Sequence, residues 1–334
     1  MKEKTTSPSL TRVAVVVPFF QQKEGILKAT LESVIKQRGD LLIDVFVVDD
    51  GAPISAQEEL GSLDMQADNV RIHVERQANA GPGAARNRAL DRVRDEHEFI
   101  AFLDSDDEWL PTHLENATRA LGYGYDFYFS DFLFPDYKEQ SAFLRAGRLQ
   151  VSDHVEVDQE HGIFEYKGNM VDQICVTGNI IGTSTVVIRR SAFPQQRFRE
   201  AFFNGQDYLF WLDASLEKPR IAFSTNLECN YGIGVNIYSG AKWGSEQVLK
   251  RLKNELFLWN AVQKIYPLSD YQNEGLRSRL EDIRESIVRN LVHRLGHFKP
   301  IPIGIGWAII KTEPSILVKG PFLAGKLLLT RNRE

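Results

Sequence analysis

The segment FIAFLDSDDEWL, residues 99–110, holds the densest chemistry in this chain: a short apolar run that reads as a buried strand ends in Asp104, Asp106 and Asp107. Three carboxylates so close together repel one another and lose hydration, and a divalent cation that prefers oxygen ligands offsets both costs. An isolated D-x-D also occurs as a hydrated acidic turn, so its surroundings decide the reading. Three further segments carry candidate groups. Asp49 and Asp50, followed by Gly51, end the run IDVFVVDD (43–50). In NAGPGAARN (79–87), Gly81 and Gly83 permit close backbone approach, and Arg86 can meet a phosphate or a core acid. Asp207 opens a helical run beside Trp211. An acid at a helix start is favoured by the macrodipole. Trp211 offers a flat apolar face to a ligand or packs in the core.

These groups can serve one reaction only if the elements that carry them end on a common edge. RVAVVVPF (12–19), IDVFVVDD (43–50), NVRIHVE (69–75) and EFIAFLD (98–104) read as strands, several of them β-branched and apolar throughout, as buried parallel strands are. Helical spacing of Ile26, Leu27, Thr30, Leu31, Val34 and Ile35 separates the first two, and helices are expected near 83–93 and 111–121. That alternation predicts an α/β fold: a doubly wound, mostly parallel sheet flanked by helices, with ligands at the carboxyl ends of its strands. After YDFYFSDFLF (125–134) the rhythm breaks, and 135–180 reads as an irregular excursion with a hairpin or flexible loop. TSTVVIRR (183–190) resumes as a strand, QDYLFWLDASLE (206–217) as a helix and RIAFST (220–225) as a further strand. From Ser245 the chain is helical, and Leu276, Leu280, Ile283, Ile287, Leu291 and Leu295 form a packing stripe.

Five segments in order, VVVPFF (15–20), VVDDG (47–51), NAGPGAARNRAL (79–90), FLDSDDEWLP (102–111) and GQDYLFWL (205–212), resemble the family-two glycosyltransferases with the GT-A fold, over roughly residues 12–225. The resemblance implies a hexosyltransferase-like enzyme that moves a sugar from a nucleotide diphosphate sugar, a UDP-sugar first, to an acceptor hydroxyl with inversion. Bacterial surface polysaccharide or glycolipid synthesis is the implied setting. Asp50 matches the contact to the nucleotide base, Asp104 and Asp106 match the D-x-D that holds Mn²⁺ or Mg²⁺, and Asp207 matches the acceptor-activating base. The family's usual Glu-Asp pair reads Gln206–Asp207 here. The nucleotide-sugar side is expected to comprise Pro18, Phe20, Asp49, Asp50, Asn79, Gly81, Arg86, Asp104 and Ser105, and the acceptor side Gln206 and Trp211. The competing readings are a catalytically silent sugar- or nucleotide-binding relative and a sugar-nucleotide pyrophosphorylase. The latter wants a Gly-rich loop with Arg after its first strand, where this chain has Pro18–Phe19–Phe20. A Rossmann dehydrogenase is disfavoured because Arg86 takes the last glycine place of G-x-G-x-x-G.

The chain has 334 residues, 43% hydrophobic and 25% charged, enough for a sizeable core in one large or two modest domains. The expected division is a disordered leader at 1–11, a nucleotide-sugar-binding and catalytic domain at 12–240, and a helical C-terminal region at 241–334 with a basic amphipathic tail. A net charge of −5 argues against nucleic acid as a partner. Cys175 and Cys229 lie far apart, which suits a reducing cytoplasm and suggests neither a zinc ribbon nor a disulfide framework. From Lys299 onward six Lys or Arg face Glu313 and Glu334, a balance of +4 in an acidic chain. PIPIGIGWAII (300–310) is about half the length needed to span a bilayer. Lysines interleaved with Trp307 and Phe322 suit either ordinary packing on the catalytic domain or an anionic membrane surface, where 299–334 would hold an otherwise cytoplasmic protein peripherally on the inner face of the cell membrane. The acceptor is then a saccharide or a lipid-linked saccharide.

Overall fold

The computed structural model describes residues 10–61, 67–137, 139–233 and 242–331, so nearly all of the expected leader lies outside the described residues. The chain forms two compact units. The first comprises Met1–Ile174, Gly178–Glu200 and Phe210–Val235; the second comprises Cys175–Thr177, Ala201–Leu209 and Asn236–Glu334.

The first unit begins with β1 (Thr11–Phe19), α1 (Ile26–Ile35), β2 (Leu41–Asp49), α2 (Ala56–Leu60), β3 (Val70–Arg76), α3 (Pro82–Leu90) and β4 (Phe99–Phe102). β1 and β2 are buried along nearly their whole length on both faces, which their Val, Ile, Leu and Phe content permits and a central parallel strand requires. β3 is the edge strand, where the buried Val70 and half-buried Ile72 and Val74 alternate with the exposed or half-exposed Arg71, His73 and Glu75 that keep an edge soluble. The chain continues through β5 (Glu108–Trp109), α4 (His113–Gly122), β6 (Phe127–Leu133), α5 (Ala142–Ala146), β7 (Val155–Asp158), β8 (Ile163–Glu165), α6 (Met170–Asp172), β9 (Val187–Arg189), α7 (Gln206–Leu216) and β10 (Ile221–Asn230).

One sheet joins all of these strands in the order β3-β2-β1-β4-β9-β6-β10-β8-β7, with β5 added to β10. The pairs β3–β2, β2–β1, β1–β4 and β6–β10 are parallel, whereas β9 runs antiparallel to both β4 and β6. The mostly parallel, doubly wound sheet expected from the alternation is therefore present. The excursion at 135–180 contains the antiparallel β7–β8 hairpin. The strand expected over 183–190 is shorter, because Thr183–Thr185 form a 3₁₀ turn before β9.

The second unit is helical: α8 (Glu246–Ile265), α9 (Asp270–Gly296), α10 (Ile303–Thr312) and α11 (Ile316–Arg331). Ser245 caps α8 by accepting the Val248 N–H, and Ser269 with Gln272 forms a capping box on α9. The stripe expected on α9 holds from Leu276 through Leu280 and Ile283 to Ile287, then leaves the core. Each four-residue step turns about 40° past a full helical turn, so the run 283, 287, 291, 295 rotates outward until Leu295 is exposed. Val288, Asn290 and Arg294 are buried there instead, Arg294 donating to the carbonyls of Gly244 and Pro300. Among the described residues no helix is long and apolar enough to cross a membrane.

A buried polar network locks α4 to β6 and β10 of the first unit. Glu228, fully buried, accepts from Tyr128 Oη at 2.8 Å and Asn116 Nδ2 at 2.7 Å, and pairs with His113 Nδ1 at 2.9 Å. Removing the shared acceptor strands three buried groups, so Glu228→Ala is expected to lower stability by about 3–5 kcal/mol. The urea midpoint at constant slope measures the loss; a decrease under about 1 kcal/mol would contradict the network's role.

Candidate functional site

β4 delivers the D-x-D as a tight turn in which the Asp107 N–H donates to the Asp104 carbonyl at 3.1 Å. The three acids then separate by environment. Asp107 is buried; Ser184 Oγ donates to its Oδ2 at 2.5 Å and the Gly232 N–H to its Oδ1 at 2.8 Å. Burial pushes the Asp107 carboxyl well above the usual carboxylate range, and the charges of Asp106 and Asp104 push it further. Asp104 and Asp106 are partly exposed. Ser184 Oγ also accepts the Asp104 N–H at 3.0 Å, while Trp109 Nε1 donates to the Ser184 carbonyl at 2.5 Å. A Cβ at position 232 would overlap the Asp106 backbone carbonyl, so only glycine admits that strand so close to the turn.

The neighbouring loops are held by acids as well. Asp50 accepts three N–H bonds, from Gln77 Nε2 at 2.7 Å, Ala80 N at 2.8 Å and Gly81 N at 2.8 Å, and so fixes the segment that leads into α3. Gly81 has φ +92°, a left-handed conformation, and Pro82 follows at the first helical position. From α3, Arg86 reaches Asp104 in an ion pair and lies 5.2 Å from the Phe198 ring centroid. Arg86 is itself buried, and its partner Asp104 is partly exposed. Asn79 is exposed, Phe20 partly so, and Pro18 is buried.

Two of the residues expected on the nucleotide side are engaged within the protein. Asp49 is buried and accepts from the backbone N–H groups of Ala52 and Ala56, with Arg76 at 3.4 Å, so it holds the β2–α2 turn together. Ser105 is buried, and its hydroxyl accepts from Gln21 Nε2 at 3.1 Å. Of the residues expected on the acceptor side, Trp211 is packed inside the protein. It is 1% exposed and packs edge-on against Phe127 at 5.3 Å and Phe210 at 5.2 Å, so its ring has no open face for a sugar. The all-round apolar character of α7 had left both readings of Trp211 open.

Asp207 and Gln206 belong to the second unit, in the first turn of α7. Gly205 precedes them with φ +74° and lies against Leu258 of α8. Tyr208 packs on Trp259 at 6.0 Å, and Tyr266 Oη donates to the Leu209 carbonyl at 3.2 Å. Asp207 is partly exposed on this buttressed turn, whereas Gln206 is buried. The structure therefore gathers Asp104, Asp106, Arg86 and Ser105 at one turn, Asp50, Asn79 and Gly81 at another, and places Asp207 on a braced helix start. Sequence reasoning missed Gln21, Gln77, Ser184 and Gly232. The one available signal was Gln77 standing just ahead of the NAG motif.

A family model described as glycosyl transferase family 2 matches residues 14–193. Succinoglycan biosynthesis protein ExoW of Rhizobium meliloti (strain 1021) is 30% identical over 291 residues, which is 86% of this chain and 89% of that protein. Among solved structures, mannosyltransferase PcManGT from Pyrobaculum calidifontis, in complex with GDP-Man and Mn²⁺, has a TM-score of 0.54 at 12% identity over 96% of this chain and 88% of its own. S. aureus TarS 1–349, in complex with UDP-GlcNAc, has a TM-score of 0.53 at 17% identity over 86% of this chain and 73% of its own. These likenesses agree with the GT-A fold expected from the motifs. Because the family model covers more than half of the chain, and a relative at 30% identity spans most of it, the chain belongs to glycosyl transferase family 2.

Proposed function

We propose that the protein is a metal-dependent glycosyltransferase that moves a sugar, a UDP-sugar being the first candidate donor, to an acceptor hydroxyl with inversion, in bacterial surface polysaccharide or glycolipid synthesis. The observation that carries this reading is the division of the D-x-D turn: Asp107 is committed to the core, while Asp104 and Asp106 stay partly exposed. TarS with UDP-GlcNAc, PcManGT with GDP-Man and Mn²⁺, and ExoW in succinoglycan biosynthesis support it.

The donor set fits Mn²⁺ or Mg²⁺. Asp104 and Asp106 supply hard oxygen ligands of the kind these ions prefer, and since among the described residues no group of three or more His, Cys, Asp or Glu is placed to hold an ion, the donor diphosphate and water would complete the set. A cation bound there supplies Lewis acidity to the leaving diphosphate. Arg86, paired with Asp104, fixes that carboxylate's direction and adds positive charge on the phosphate side. Asp50 keeps the 77–81 segment in place as a wall for the nucleoside, and Asp207 takes the proton from the attacking hydroxyl. With Gln206 uncharged, one carboxylate serves a single displacement, which inverts the anomeric centre.

The tail supports attachment to an anionic membrane on its cytoplasmic side. Phe298, Ile303, Trp307, Val318 and Phe322 are between 68% and 99% exposed, and Lys299, Lys311 and Lys319 lie among them.

Asp207→Asn is expected to keep metal-dependent UDP binding and lose about 10²–10⁴-fold in transfer rate. Asp106→Ala is expected to lose the Mn²⁺-dependent thermal shift with UDP. Full transfer by both variants would refute the assignment. Gly232→Ala, which drives a methyl group into the Asp106 carbonyl, is expected to diminish the same shift, and a wild-type shift would show that the turn tolerates displacement. Deleting residues 299–334 is expected to abolish co-sedimentation with phosphatidylglycerol vesicles; unchanged partitioning of a still-folded protein would remove the membrane role.

A further inference from the structure

The second unit carries an open cavity of about 580 Å³ walled by residues 201–204, α8 and α10. Lys253, Lys264 and Lys311 line it and no carboxylate does, in a chain whose net charge is −5. Among the described residues none of these lysines has an acidic partner, and the nearby acids are engaged elsewhere, Glu255 with Arg251 and Glu313 with Arg284. Burial, and secondarily the charge of Lys250, pushes the Lys253 ammonium below its ordinary value. A cation desolvated beside another cation is stabilised by a bound anion.

The remaining lining has a different character. Phe203 and Phe257 present half-exposed rings, while Asn204, Asn260 and Thr312 add amides and a hydroxyl. Ring faces for the CH side of a pyranose, with amides for its hydroxyls, suit a saccharide. Lysines suit a phosphate as point charges. On α10, Ile303, Trp307 and Lys311 follow at four-residue intervals along one face, so the apolar exposed stripe ends on a lysine that also lines the cavity. The phosphate of a lipid-linked saccharide sits at just such a boundary, between an apolar chain and polar sugars.

We propose that this cavity binds the acceptor, a saccharide carried on a lipid phosphate or diphosphate, with Lys253, Lys264 and Lys311 holding the phosphate and the 202–204 segment with Phe257 holding the sugar. The proposal rests on the transferase reading. It deepens that reading by naming the acceptor's charge, and the 202–204 segment runs directly into Gly205, Gln206 and Asp207.

The test uses the full-length protein in EDTA, so that Asp104 and Asp106 hold no metal. The probes are farnesyl-diphosphate-linked N-acetylglucosamine, the neutral farnesyl glycoside of the same sugar, and inorganic diphosphate, each titrated calorimetrically. The diphosphate-linked sugar is expected to bind at least about tenfold more tightly than either other probe. The triple variant Lys253→Gln, Lys264→Gln, Lys311→Gln is expected to lose that margin, and the corresponding Lys→Arg triple variant to keep it. Equal binding of the neutral glycoside, equal binding by the Gln variant, or inorganic diphosphate binding as tightly as the saccharide probe each overturns the proposal. The Mn²⁺-dependent UDP shift, measured on EDTA-free portions of the same preparations, is expected to be unchanged in the Gln variant. Its absence from the wild type would fault the donor assignment, while the titrations still decide the cavity.

Discussion

The Asp107 carboxylate sits in the core between the Ser184 hydroxyl and the Gly232 N–H, and the geometry of the D-x-D turn follows from where those donors stand. An ionisable group taken out of water costs several kcal/mol unless it is hydrogen-bonded or neutralised. Both remedies are present: two short hydrogen bonds, and a carboxyl held toward its protonated form. Three distant pieces of chain, the end of β4, the Thr183–Thr185 turn and the residues after β10, must converge for the bonds to exist. Once they do, the Ser184 hydroxyl also fixes the Asp104 N–H, and Asp104 and Asp106 are left at the surface without freedom to collapse inward.

The strands of the first half were legible because a parallel strand buried on both faces needs an unbroken apolar run, and few other elements do. The acids at the strand ends were legible as a set but not individually. Asp49 and Asp50 are adjacent letters, yet the first holds a turn while the second holds the 77–81 segment, a difference made by which backbone N–H groups fold back onto each. Trp211 lies in a helix whose Leu209, Phe210 and Leu212 are buried too, so periodicity could not say whether its ring faced out. Ser184 and Gly232 are 77 and 125 positions from the acid they serve, and no local pattern announces such partners.

The helical second unit contributes rigidity at one point and charge at another. Gly205 can lie against Leu258 only because it has no side chain, and that contact sets where α7 begins and where Asp207 stands. The same α8 presents Lys253 and Lys264 on a different face. A single helix thus braces an acid and presents bases, a separation that keeps the two kinds of charge from neutralising each other.

The place of β9 in the sheet bears on how the molecule is made. β4 ends at Phe102, but the strand that completes its free edge begins at Val187, so a long stretch of chain must emerge before that edge is covered. The β3-β2-β1-β4 layer is built from neighbouring segments, whose pairing has little loop-closure entropy to overcome, whereas the β4–β9 pairing must close a much longer loop. Keeping β4 to four residues limits the unpaired N–H and C=O groups shown to other nascent chains until that loop closes. The shortness of the central strand limits misassembly, and it belongs to the same element that delivers the D-x-D turn.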